Sequence, residues 1–334
     1  MAKIPVSKYP NQAGYLQFDT DTNQLEVFSD GTFKDILSGL GVATEDYNGL
    51  MTKEDKTKLN KIGIENNVLI TVGNGGDFAT LNEALKEASK YYPLYVNGGV
   101  TVEIRLLAGF VLDEPTIHIE NLDLRYVVIT GEDPITTVNY TGFTGGTSEA
   151  DAYVNFLVKN AFLPTFKQSF QTTETAYTMF VRGLGNVSVS AIGNEDVAFA
   201  DAADEDFIKF NGFYHVFNLY GPQNSIMLIN ISCQNTETLI AGGNIALSVN
   251  GMKSTSTPSG HFLSVHHTRG SIKSGNIDGD LAISSLSSIT FRNINFNDKT
   301  IYVYYGAMIY SYNNTNVSYN IATNTLTPNG IIFI

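Results

Sequence analysis

Three stretches of this chain carry side chains that can do chemistry. The first, GNEDVAFADAADEDF, places Glu195, Asp196, Asp201, Asp204, Glu205 and Asp206 within twelve residues, with no basic residue among them. Crowded carboxylates suit a calcium ion or the paired acids of a glycosidase. The DxDxDG spacing of an EF-hand is absent, and a solvated loop is the plainer reading. Asp196, Asp204 and Glu205 remain candidate catalytic acids. The second stretch, GHFLSVHHTRG, holds His261, His266 and His267, three of the chain's five histidines, followed by Arg269. On a strand His266 and His267 point to opposite faces, which argues against a shared metal ion, and no metal site is expected. His266 is a candidate general base, with Arg269 placed to neutralise a uronate carboxylate. A solvated or structural role is again the plainer one. The third stretch is aromatic. A tyrosine ring stacks on a sugar face while its hydroxyl bonds sugar oxygens. Tyr214, Tyr220, His267, Tyr304 and Tyr305 are the candidate glycan-binding residues, although packing is the plainer reading of the rings.

A fourth motif, VGNGGDFATLNEAL (Val72–Leu85), reads at first as a phosphate-cradling loop. The dinucleotide fingerprint GxGxxG fails, because Phe78 stands where the last glycine belongs, and the GK[ST] of a P-loop is missing. Thr80 and Glu83 instead form a capping box, and Leu81, Ala84, Leu85 and Ala88 follow at helical spacing. The glycines are therefore expected to make a tight reversal between a strand over 67–72 and a short amphipathic helix. No cofactor is expected.

Composition excludes several classes. The 334 residues carry a net charge of −13 and no basic cluster, which argues against nucleic-acid binding. No apolar run reaches the ~18 residues of a membrane span. The first residues, MAKIPVSKYPNQAG, lack the apolar stretch of a signal peptide, so a soluble protein made without one is expected. Cys233, the single cysteine, is expected to be a small buried apolar group.

The elements that must position these residues are short. Tyr15–Phe18, Leu25–Phe28 and Thr32–Lys34 read as hairpin strands around a polar turn at 20–24 and the turn Asp30-Gly31. Thr52 caps a short helix with Leu59 and Ile62 on one face. After about residue 92 no useful helix appears. Strands of three to seven residues follow one another instead, among them VTVEIRLL, NVSVSAIG, SIMLINIS, NIALSVNG and SITFRNINF. A β-sandwich and a parallel β-helix both give such a pattern. The brevity of the strands favours the β-helix. So do the asparagines at strand margins (Asn186, Asn211, Asn218, Asn230, Asn244, Asn276, Asn293, Asn295), which are expected to ladder between coils. A solenoid also needs a lid over its first coil, and the helix from Leu81 suits that task.

Two motifs resemble known families. NGLMTKEDKTKLNKI (Asn48–Ile62) resembles a connector of bacteriophage tail-fibre and baseplate receptor-binding proteins. The hairpins before it are similar to a short repeat near the N-termini of phage fibres. The strand, GxGGDF turn and TLNEAL helix resemble the start of pectate-lyase-like right-handed β-helices, including many phage tailspikes. The resemblance implies an all-β, trimeric right-handed β-helix with an N-terminal capping helix. It implies a virion attachment module over 1–37, a helical connector over 38–66, a β-helix over 67–300 and a C-terminal cap or trimer-contact segment over 301–334. It further implies a virion protein, a homotrimer joined to other tail or baseplate proteins, whose partner is a bacterial surface glycan. Polysaccharide depolymerase or purely structural fibre are the alternatives. No catalytic motif of the family maps onto this sequence.

Overall fold

A computed structural model of the chain describes residues 3–5, 16–19, 24–29, 32–35, 52–64, 66–93, 100–140, 143, 146, 148–174, 177–254, 261–321 and 330–333. The chain forms two compact units, Met1–Ile64 and Glu65–Ile334. Among the described residues the only α-helices are Lys53–Asn60 and Leu81–Ala88; nearly all other regular structure is strand.

In the first unit, Lys3–Pro5, Leu16–Asp19, Gln24–Ser29 and Thr32–Asp35 pair antiparallel in chain order. Lys3–Pro5 has no counterpart in the sequence reading. It is three residues long and ends in proline, which lacks an N–H, so it suits only a sheet edge. The turns expected at 20–23 and at Asp30-Gly31 lie outside the described residues, as does the start of the connector motif at 48–51. Thr52 caps the helix Lys53–Asn60, its hydroxyl accepting from the Asp55 amide at 3.0 Å. Leu59 and Ile62 are 49% and 62% exposed, so among the described residues the apolar side of this connector is open.

Among the described residues the large sheet of the second unit pairs parallel throughout, in three rows. Row one begins with Val68–Val72, Val102–Leu106 and Val127–Gly131 and ends with Met308–Tyr312 and Ile331–Phe333. Row two runs from Val111–Leu112 through Thr136–Val138, Phe170–Thr172 and Ile208–Asn211 to the second halves of later strands. Row three runs from Ile117–Glu120 through the first halves of Tyr153–Phe166 and Thr178–Ile192 to His215–Tyr220, Thr238–Gly243, His261–His266 and Asp280–Ser284. Thr178–Ile192 and Ser288–Val303 turn corners and serve more than one row. The pairings therefore close on themselves. Nine strands trace a parallel ring from Thr178–Ile192 up row three to Ser288–Val303 and back through Arg269–Asn276, Ile245–Ser254 and Asn224–Gln234. The all-β, parallel character expected from the sequence is observed; the closed ring is not part of that expectation. Ser288–Val303 also runs straight through position 300, and the later strands continue the same rows.

Alternate residues of each row point inward. Phe217, Ile240, Leu263 and Leu281 form one such buried column. Phenylalanines fill the middle: Phe156, Phe166, Phe170, Phe180, Phe210, Phe213 and Phe217 are buried and meet mostly edge-on, with neighbouring centroids such as Phe156 and Phe180 5.2 Å apart. That arrangement matches the ring quadrupole. Cys233 is buried among them, as expected.

The asparagines do less laddering than turning. Asn160, Asn230, Asn244 and Asn293 have φ near +50°, in the left-handed region that asparagine tolerates better than most residues. Each sits where one row bends into the next. Gly251, φ +84°, stacks on Asn230; a Cβ there would lie 2.1 Å from the Asn230 Oδ1.

The helix Leu81–Ala88 buries Leu81, Ala84, Leu85 and Ala88 against the first two strands of row one. Thr80 accepts from the Glu83 amide at 3.3 Å and donates to the Glu83 carboxylate at 3.0 Å. A buried carboxylate, Glu114, also accepts from the Leu81 and Asn82 amides. Burial nevertheless pushes the Glu114 carboxyl upward, outweighing those bonds. The preceding glycine turn is closed by Asp77, whose carboxylate accepts from the Thr71 amide and hydroxyl at 2.8 Å each. Those bonds lower the Asp77 pKa. The motif is an architectural reversal and lid.

Candidate functional site: the outer face of row three

The acidic stretch folds into a loop between row one and row two. Asp204 is bridged by Lys209 and by Lys253, the latter at 3.0 Å, and these lysines hold its carboxyl below the usual range. Asp206 accepts from the Asn194 side chain at 2.7 Å and the Ala203 amide at 2.9 Å. The Asp196 amide donates to Asn194, and Glu205 is exposed. The loop's carboxylates are tied to its own fixing. Among the described residues no group of acids, histidines or cysteine could hold a metal ion.

His266 and Arg269 part company. His266 points outward from row three, whereas Arg269 opens a row-one strand beside Ala246 and Ser288. Between them His267, φ +50°, makes the corner. The bend that joins the rows puts the candidate base and the candidate uronate-binding arginine on different rows.

Other candidates converge. The outward column of row three contains Tyr220, Gly243 and His266 in register. A Cβ on Gly243 would lie 2.1 Å from the His266 ring, so the missing side chain lets that imidazole lie over the strand toward Tyr220, 6.4 Å between centroids. Further along, His261 meets Tyr302 edge-on at 5.5 Å, Tyr302 stacks with Tyr304 at 6.2 Å, and Tyr304 lies 6.1 Å from Tyr305. Burial, and then His267, lower the His266 pKa, so its ring is neutral at pH 7. Tyr214 lies apart from this strip, stacked on His215 at 4.3 Å and close to Tyr177 at 4.2 Å. Burial and then Glu237 push its hydroxyl up to about 12.

Sequence reasoning missed the polar residues beside Tyr214. Asn218 is fully buried on this face, and its Nδ2 donates to Glu149 Oε1 at 2.8 Å and meets His215 Nδ1 at 2.9 Å. Its Oδ1 has no partner among the described residues. His215 is depressed to about 4, chiefly by burial, with Glu149 opposing. Its Nδ1 is thus an acceptor and its Nε2 carries the proton. Just around the corner lies a groove of about 700 Å³ lined by Glu174, Asn211, Tyr214, Gln234 and Glu237. Asn211 Oδ1 is buried without a partner, and burial raises the Glu237 carboxyl. Glu149, Asn218 and Glu237 sit in no motif and are far apart in sequence. The one available signal was their place at outward positions or at turns between strands.

Outward rings, Tyr220 and Tyr305 exposed and His261, His266, Tyr302 and Tyr304 half-buried, flanked by amide, carboxylate and imidazole groups, match what a polyhydroxylated chain needs: flat apolar faces to stack on, and donors and acceptors at their rims. No protein-family model matches this chain, and no curated protein matches it.

Proposed function

We propose that this protein is a fibre or spike protein of a bacteriophage virion that binds a bacterial surface polysaccharide along row three. The observation that carries the binding reading is the strip Tyr220–His266 and His261–Tyr302–Tyr304–Tyr305, an outward aromatic line that the core does not need. The phage assignment rests on the connector Asn48–Ile62 and the GGDF turn with its lid. On this reading the three rows are the faces of a right-handed parallel β-helix. The N-terminal unit joins other virion proteins, and the exposed Leu59, Ile62, Ile331 and Phe333 are covered by sister chains of a homotrimer. Screening the full chain against bacterial polysaccharides, with light scattering of the same sample, tests both halves. Binding that falls with Tyr220→Ala and Tyr304→Ala, by a trimer, is the expected result. A monomer refutes the assembly, and no binding to any glycan leaves a purely structural fibre.

One observation favours a second reading, cleavage of the glycan. Glu174 and Glu237 line one groove, and burial raises Glu237 toward the protonated state that a general acid requires. The appearance of new reducing ends or unsaturated uronates in a bound polysaccharide, abolished by Glu237→Gln, would establish it.

A further inference from the structure

We propose that Arg182 forms a subsite for the carboxylate of an acidic sugar, so that the polysaccharide bound by this protein carries uronic or nonulosonic acid units. This rests on the glycan-binding reading. Arg182 faces outward from row three, in register with Leu157 on one side and Asn218 on the other. It borders a groove of about 380 Å³ whose other walls include His118, Phe143, Tyr153, Leu157 and Leu184.

Two features set this groove apart. Among the described residues Arg182 is its only permanently charged lining residue, in a chain of net charge −13. By contrast, the corner groove carries Glu174 and Glu237 with no cation, and the groove beside the 193–207 loop sets Lys167 and Lys209 against Glu132, Asp133, Asp204 and Glu205. Second, Arg182 makes no ion pair with any described residue. The nearby carboxylate, Glu149, is held by the Asn218 amide instead. Arg105, Arg125 and Lys159 pair with Glu103, Asp123 and Glu120; Arg269, Lys273 and Arg292 share the lack of an ion pair among the described residues, but none of them lines this groove.

The chemistry of the walls narrows the ligand. A guanidinium presents a planar fork that matches a carboxylate with two parallel hydrogen bonds. Leu157, Leu184 and the rings of Phe143 and Tyr153 are suited to the apolar face of a pyranose. One cation answers one negative charge. Tyr220, within electrostatic reach of Arg182, continues the surface toward the aromatic strip, so an acidic unit here would be followed along the strip by units bound by stacking.

The test uses the full chain and saturation-transfer NMR. The probes are methyl glycosides of glucuronic, galacturonic and N-acetylneuraminic acids, with methyl glucoside and galactoside as neutral counterparts. Proteins are wild type, Arg182→Gln, Arg182→Lys, and Lys273→Gln as an equal charge change on row one. Thermal unfolding checks that each variant is folded. At least one acidic glycoside should bind wild type at least fivefold tighter than its neutral counterpart. Arg182→Gln should abolish that preference, Arg182→Lys should restore part of it, and Lys273→Gln should leave it intact. Equal binding of acidic and neutral probes, or a preference that survives Arg182→Gln, overturns the proposal while leaving glycan binding standing. Absence of binding by every probe and by the polysaccharide panel overturns both.

Discussion

Two corners of the second unit obey the same physics and reach opposite ends. Where row one bends into row two, from residue 224 onward, each layer turns on a single left-handed residue: Asn230, Gly251, Ser274 and Asn293. These stack in contact, with no room for variation, as the Gly251 site shows. Where row two passes to row three, the connections differ in length from layer to layer. They carry Glu149, Glu174, Tyr214 and Glu237, and they leave a groove. The first corner sets the layer spacing. The second is free to vary because nothing above or below demands that it match. In a stacked architecture, function collects where the stack does not constrain the chain.

The sharpest way to break this contrast is Gly251→Ala. The backbone at φ +84° disfavours alanine, and the new Cβ meets Asn230 Oδ1. We expect a loss of about 3 kcal/mol, combining backbone strain with a disturbed side chain. Urea unfolding measures it; a loss below about 1 kcal/mol would mean the tight corner can relax.

The open corner should show itself through pH. His215, depressed to about 4 by burial, is neutral in the fold while an unfolded histidine takes its proton near 6.5. Between those values the unfolded chain binds more protons, so stability falls as pH drops from 6.5 to 4 and this contribution changes no further below 4. The loss is of order 3 kcal/mol, and His215→Gln should remove that part of the pH dependence in thermal unfolding.

Asn230→Ala should destabilise by about 1 to 2 kcal/mol, since it loses the left-handed tolerance and the bonds of Nδ2 to the carbonyls of Asn194 and Val197. Asn230→Gly should be milder, because it restores the backbone but not the bonds. A larger effect from glycine would show that the turn depends on side-chain bonding more than on φ.

The smallest stability effects belong to the row-three surface. Tyr220→Ala and Gly243→Ala should change unfolding by less than about 0.5 kcal/mol. Each should weaken glycan binding about three- to tenfold, the first by removing a ring and the second by pushing His266 off the strand. Calorimetry on a bound polysaccharide measures both. Stability and binding falling together would make the strip part of the core.

The local features were legible. Thr80 with Glu83 announced the lid, Thr52 the connector helix, and alternation an all-β chain, because capping and alternation act over a few neighbouring residues; the expected strands of three to seven residues instead run on through corners in Tyr153–Phe166, Thr178–Ile192 and Ser288–Val303, 14, 15 and 16 residues long. Tyr220, His266 and Tyr304 were singled out by residue type alone. What joined them was not legible. Gly243 looks like any strand glycine, and only its place between Tyr220 and His266 makes it matter. His266 and Arg269 looked like partners three positions apart, until the left-handed turn at His267 put them on different rows. The acidic stretch, whose plainer reading was a solvated loop, is a loop whose Asp204 is held by Lys209 and Lys253 from neighbouring strands.

The sequence by itself determined that the chain is mostly strand, where the lid begins and that the chain carries a strong negative charge, since each follows from short-range propensity or from counting. The tertiary structure alone decided the register between layers some twenty or more residues apart. That register puts Arg182 beside Asn218, Asn218 against Glu149, and Tyr220 below His266. Parallel pairing is a long-range choice made by the packing of the inward columns, and no local signal in the chain encodes which outward residues it will bring together.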